Sequence, residues 1–218
     1  GDVHVENFIQ KGYLKNAIIN FIALLGWHPS GDDELFNLEY LIQNFSLERL
    51  QKSGAIFDIK KLSWMNNFYI KNLDEKSLYQ YMIDLSLMDN NINNKNQYLA
   101  AIEYEKNNAT TLMELYHKTV SYFNNNFGNT TKSLEPYDAA SLFILWVDHL
   151  KKIDDITSEK IDIIIISSKD ELGVAGKKLF IPLRLALIGR EHGPDLFTII
   201  NILGIDESIN RLNAIKGL

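Results

Sequence analysis

Along most of this chain, apolar residues recur at the three-and-four spacing of a helix that buries one face. Ala17, Phe21, Leu24 and Leu25 make one such stripe, and Gly26 closes it. Ser30-Gly31-Asp32-Asp33 has the pattern of a capping box, in which a serine oxygen and a carboxylate three residues on satisfy free amides at a helix start. It predicts a helix with Leu35, Leu38, Leu41 and Ile42 as its apolar face. Ser46 is placed to cap a further short helix with Leu47 and Leu50 inward. Asp74 is placed to cap another, with Leu78, Tyr81, Met82 and Leu85 on one side. One segment is ambiguous. Ile161 to Ser168 is a β-branched run that favours a strand by propensity. Its flanks favour a helix, with Thr157-Ser158 as an N-cap and Leu172-Gly173 as a stop. No second strand offers a partner, so the segment is expected to be a buried helix.

The breakers agree with that reading. Only 4 prolines and 12 glycines interrupt 218 residues, which favours long helices and an all-α fold. Two asparagine-rich stretches, Asn90–Asn96 and Asn124–Asn129, read as loops, because the asparagine side chain competes with the helix backbone for hydrogen bonds. They are candidate internal boundaries, either as recognition loops or as solvated segments of drifting composition. No internal repeat is present.

Composition narrows the functions. Hydrophobic residues are 46% and charged residues 23%, which excludes a wholly disordered chain. No uninterrupted apolar run reaches the roughly 18–20 residues that span a bilayer, and no secretory leader is seen, so no membrane partner is expected. Absence of cysteine excludes disulfides, thiol catalysis, iron–sulfur ligation and thiolate zinc. No two of the five histidines lie three to five residues apart, so no helix presents a metal pair. Asp148-His149 with Asp154 and Asp155 is the densest ligand-like cluster, and a surface helix end explains it better than a metal. There is no nucleophile elbow, phosphate loop or dinucleotide turn. Asp32-Asp33 and Asp154-Asp155 fall at expected helix starts, where the helix dipole favours negative charge. No catalytic residue and no metal site are assigned.

A net charge of −6 argues against nucleic acid, DNA included, until the distribution is read. From Arg49 to Lys71 the basic residues Arg49, Lys52, Lys60, Lys61 and Lys71 face Asp58 alone. From Lys177 to Arg190 stand Lys177, Lys178, Arg184 and Arg190, with no acid. A basic face on an acidic protein suits a polyanion that touches one side, although an ordinary solvated face has the same pattern. Trp64, Phe68 and Tyr69 lie in the first window, and aromatics beside basic groups can stack unpaired bases. Trp64 and Phe68 are four apart, however, and a core stripe is the reading preferred, because buried aromatics dominate cores.

Particular strings add a family. Gly12-Tyr13-Leu14, then Ala17, Asn20, Phe21 and Ala23-Leu24-Leu25-Gly26-Trp27, resemble the segment of bacterial glutamyl-tRNA synthetases that follows the mobile KMSKS-type loop. Phe45-Ser46-Leu47, Ser53-Gly54-Ala55-Ile56-Phe57-Asp58, Lys61-Leu62, Trp64 and Asn66 continue the match in register. Near the end, Lys178-Leu179-Phe180, Pro182-Leu183-Arg184, Gly189-Arg190, Gly193-Pro194, Leu203-Gly204 and Arg211-Leu212 resemble the family's last block. About Leu78 to Lys152 the match is weak. Neither the HIGH-type nor the KMSKS-type motif is present, and Gly1-Asp2-Val3 looks like the sequence just after that loop. The resemblance therefore implies a C-terminal piece without its catalytic domain, inactive alone.

The resemblance further implies an all-helical architecture in three parts. Residues 1–72 look like the stem-contact domain, and residues 73–130 and 131–218 like two anticodon-binding subdomains. The family, full length and cytoplasmic, uses ATP and magnesium to activate glutamate and attach it to tRNA; this piece needs no cofactor. Its implied partner is glutamate tRNA, bound by a monomer. Arg184 lies in the string the family places in its anticodon-binding subdomain, where a guanidinium can stack on a base and bond to it; a structural ion pair is the competing role. Lys177, Lys178 and Arg190 are candidate phosphate contacts, and Lys60 and Lys61 candidates for the stem side. The family often has an arginine just before a Thr-Leu-x-Glu-Leu string, associated with insisting on the last anticodon base. Here Thr111-Leu112-Met113-Glu114-Leu115 is present, but the matching position is Asn108, which implies relaxed choice and acceptance of glutamine tRNA as well. A helical protein-interaction domain that has lost tRNA binding is the competing function, favoured by the negative charge and by the presence of only four arginines.

Overall fold

The computed structural model describes residues 4–51, 56–89, 94–124 and 133–215. Among these residues the secondary structure is helical, with one isolated antiparallel bridge between Trp27 and Leu50. They form two compact units. Those up to Lys95, with Ala101–Thr119, make the first; Asn96–Ala100, with those from Val120 onward, make the second.

In the first unit α1 (Val5–Gln10) leads into α2 (Lys15–Gly26), which packs against α4 (Ile59–Asn72). Between them lies α3 (Leu38–Asn44). Of the expected α2 stripe, Ala17 and Phe21 are buried and Ile18 joins them, whereas Leu24 and Leu25 are only partly buried. Asn66 of α4 ties the unit together from within. Its Oδ1 accepts from the Leu14 amide at 2.8 Å, and its Nδ2 donates to the Thr110 carbonyl at 2.6 Å. Gly12 has φ +85°, and a Cβ there would stand 2.6 Å from the Met113 amide nitrogen, so only glycine fits. α5 (Glu75–Asp84) is capped by Asp74, which accepts from the Ser77 amide at 2.9 Å. Its buried face is Leu78, Tyr79 and Met82; the expected Tyr81 is exposed. α6 (Lys95–Glu105) and α7 (Leu112–Ser121) each contribute to both units.

The capping box at Ser30–Asp33 does not start a helix. α3 begins at Leu38 and is capped by Asn37, whose side chain accepts from the Tyr40 amide at 2.8 Å. The cause lies on α2. Buried Asn20 donates to the Glu34 carbonyl at 2.9 Å and accepts from the Phe36 amide at 3.1 Å, which holds that stretch off helical geometry. Phe36 is thereby seated edge-on against buried Trp27, at 5.8 Å between ring centres. Ser46 precedes only a 3-10 turn, Leu47–Arg49, and makes no side-chain cap; Leu47 and Leu50 face outward, not inward.

In the second unit α8 (Ala140–Leu150) packs on α9 (Ser158–Leu172). α10 (Lys177–Ile188), α11 (Leu196–Leu203) and α12 (Ile205–Ile215) pack on one another, and α12 also packs on α8. The ambiguous run is helix α9. Thr157 accepts from the Lys160 amide, and Gly173 ends the helix at φ +67°. Its Ser168 is buried, accepts from Trp146 Nε1 at 3.0 Å and donates to the Ile164 carbonyl at 2.8 Å. Residues 90–93 and 125–129 of the asparagine-rich stretches, Lys52 and the Ser53-Gly54-Ala55 string lie outside the described residues.

Candidate nucleic-acid interface

Lys60 and Lys61 occupy the first turn of α4. Asp58 caps that turn, its Oδ1 accepting from their amides at 2.8 and 3.3 Å. The single acid of the window is therefore committed to the helix start. Lys61 also ion-pairs with Glu34, whereas Lys60 is exposed.

The outer face of α4 overturns one expectation. Trp64 is 50% exposed and Phe68 41% exposed, so they are not a core stripe. The face that packs is Leu62, Met65, Asn66 and Ile70. At about 100° per residue, the side opposite that face carries Lys60, Trp64, Phe68 and Lys71. The signal was present in the sequence: Leu62, Met65 and Ile70 already supply a full buried stripe.

Asn108 ends the 3-10 turn Lys106–Asn108, which packs against α4. Asn67 on α4 donates to the Ala109 carbonyl at 2.6 Å, and Lys106 donates to the Leu73 carbonyl at 3.1 Å. The Asn108 side chain is at the surface, and its carbonyl accepts from Lys118 Nζ. Lys118 also pairs with Glu114 at 2.9 Å. Burial raises the Glu114 carboxyl, but donation from Thr110 and Lys118 outweighs it and holds the group below the usual carboxylate range.

Lys177 and Lys178 open α10 and are both exposed. That helix has Gly176 at its cap and no acid in its first turn, so its amide dipoles and two ammonium groups add positive potential together. Arg184, on the same helix, is half-buried. Its Nε donates to the Pro194 carbonyl at 2.9 Å, and its guanidinium lies 5.6 Å from the Phe180 ring centre. It latches α10 to the segment that leads into α11. Gly189, at φ +71°, ends α10, and Arg190 follows with its guanidinium 5.0 Å from the Tyr122 ring centre. Arg190 also reaches Ser121 Oγ at 3.4 Å. Tyr122 was not legible from local pattern, because the pairing spans distant parts of the chain.

The structure thus places Lys60, Lys61 and Asn108 in the first unit, and Lys177, Lys178, Arg184 and Arg190 in the second. Among the described residues no group of three or more His, Asp or Glu could hold a metal ion. Among the same residues no helix is long and apolar enough to cross a membrane. The arrangement offers cations for phosphate, and guanidinium and aromatic faces for bases.

These features agree with the class that sequence comparison defines. Residues 73–216 match the family model described as the anticodon binding domain, and residues 2–64 the one described as the catalytic domain of class I tRNA synthetases (E and Q). The chain belongs to the anticodon-binding domain family, and bacterial glutamate–tRNA ligases cover nearly all of it. The glutamate–tRNA ligase of Natranaerobius thermophilus is 34% identical over 98% of this chain and 46% of its own length. That of Carboxydothermus hydrogenoformans is 36% identical over 97% of this chain and 46% of its own. A crystal structure of a glutamate tRNA ligase from Elizabethkingia meningosepticum matches with a TM-score of 0.78 at 25% identity, over 96% of this chain and 42% of that one. The chain therefore spans about half the length of the relatives it matches.

Proposed function

We propose that this chain is the tRNA-binding part of a glutamate–tRNA ligase. Residues 1–72 contact the inner side of the tRNA, and residues 73–130 and 131–218 form the two anticodon-binding subdomains. The observation that carries the reading is the anticodon-binding family match over residues 73–216. The acid-free basic start of α10 supports it.

In this reading Lys177 and Lys178 hold phosphates and Arg190 presents its guanidinium to RNA from its seat on Tyr122. Arg184 reads an anticodon base with the edge its Pro194 bond leaves over. Lys60, and Lys61 on release from Glu34, touch the stem side. The full-length enzyme, a cytoplasmic monomer, uses ATP and magnesium to activate glutamate. The residues described here do not fit those groups, since no phosphate loop or carboxylate cluster is present, and the chain alone is inactive in aminoacylation. Its part is to orient the tRNA and choose it.

The test is binding of glutamate tRNA, glutamine tRNA and an unrelated tRNA to the 218-residue chain. Selective binding supports the reading, and equal binding of all three would overturn it. Asn108, in place of a discriminating arginine, leads to a second outcome. The full-length enzyme should charge glutamine tRNA at a rate comparable to glutamate tRNA, and strict rejection would end that part of the proposal.

A further inference from the structure

Among the described residues the outer face of α4 has no partner in the unit, and its chemistry is specific. Lys60, Trp64, Phe68 and Lys71 follow one another along a single side of the helix, over about 16 Å at the α-helical rise. All four are exposed. The Phe68 ring has its own backing. Phe68 stands edge-on to Tyr69 at 5.8 Å between ring centres. The Tyr69 hydroxyl is fixed in turn, 2.7 Å from the Phe36 carbonyl oxygen and 2.8 Å from Asn20 Oδ1. The nearby acids are engaged elsewhere: Asp58 caps α4, Glu34 pairs with Lys61, and Asp74 caps α5. Among the described residues neither Lys60 nor Lys71 joins an ion pair.

We infer that this face is a stacking platform for unpaired RNA bases, with Trp64 and Phe68 as the stacking surfaces and Lys60 and Lys71 as phosphate contacts on either side. The inference rests on the tRNA-binding reading and names what this one face takes beside the stem: nucleotides out of the helical stack. Aromatic faces accept any base, and flanking ammonium groups hold the backbone without sequence preference. A purely apolar partner would leave Lys60 and Lys71 facing it without counter-charge. A paired stem would offer its phosphates but no base face to the two rings.

Trp64 is its own probe. Trp27 is 1% exposed and Trp146 fully buried, so a change in tryptophan emission on binding reports Trp64. The experiment titrates the whole chain with a short uridine strand, with the same strand in a blunt duplex, and with whole tRNA, following tryptophan emission. The single strand should quench emission and the duplex should not. Trp64→Ala removes the reporting ring, so its affinity is read from the anisotropy of a dye-labelled strand, as is the parent's, and single-strand binding should weaken about tenfold. Lys60→Gln with Lys71→Gln should lower the salt slope by about 1.4, from two phosphates of a single strand. Circular dichroism checks that each variant keeps its helices. Single-strand binding without quenching, or unaffected by Trp64→Ala, overturns the inference. So does a blue shift that grows with protein concentration in the absence of RNA, which assigns the face to a second copy of the chain. If whole tRNA binds while Trp64 emission stays unchanged, the platform fails and the tRNA reading stands. If neither RNA binds, both fail.

Discussion

At the scale of single residues, a few buried polar groups decide geometry that hydrophobic spacing leaves open. Asn66 is the clearest. It bonds segments before and after it in the chain, at Leu14 and Thr110, and is fully buried. Asn66→Ala removes the amide and strands the buried Leu14 N–H, at about 1–3 kcal/mol, and the part-buried Thr110 carbonyl, at less. Denaturant unfolding should show a loss of about 3 kcal/mol or more, and a loss under about 1 kcal/mol would show that water replaces the side chain. Asn20 acts in the same way on residues 34–36, which is why the capping box there was misleading. Gly12 and Asn66 were visible as members of a family string. The reasons they occur there, a positive φ against α7 and a two-way amide clamp, depend on contacts across about 50 to 100 positions that no local pattern encodes.

At the scale of elements, caps and stops were legible where no distant contact competed, whereas the Ser30–Asp33 box and Ser46 cap no helix. Asp74, Thr157 and Gly173 sit where the sequence places them, and Gly173 settles the β-branched run as α9. A cap is a local interaction, so a local reading finds it. Which face of α4 is buried was misread, because Trp64 and Phe68 were weighed by residue type instead of by their angle to Leu62, Met65 and Ile70. The Asp74 cap carries a pH consequence. Donation from the Ser77 hydroxyl and amide lowers the Asp74 pKa in the folded state. A carboxylate with a depressed folded pKa stabilises above its unfolded pKa, and that stability is lost as pH falls through the folded value. The melting temperature should therefore fall more steeply for the parent than for Asp74→Asn as pH drops below about 4. Parallel curves for the two would show that the cap does not titrate with folding.

At the scale of the whole molecule, net charge and local charge point in opposite directions, and the proposed tRNA binding rests on the local pattern. A chain at −6 still presents an acid-free basic helix start at Lys177 and Lys178. Both lysines are exposed, so replacing them should leave the fold intact. Arg184 is a poorer test on its own, because Arg184→Ala also releases the Pro194 carbonyl and loosens the approach to α11. The charge windows were legible in the sequence, as was the family. The seating of Arg190 on Tyr122 was not, because it joins residues 68 positions apart. The central claim, that this chain holds tRNA through its basic second unit, is tested most directly by the salt dependence of glutamate tRNA binding. The comparison is the parent chain against Lys177→Ala with Lys178→Ala. Affinity for the parent should fall steeply with salt, and the double variant should bind more weakly with a slope lower by about 1.4–1.8. Binding that ignores salt, or a double variant indistinguishable from the parent, would contradict it.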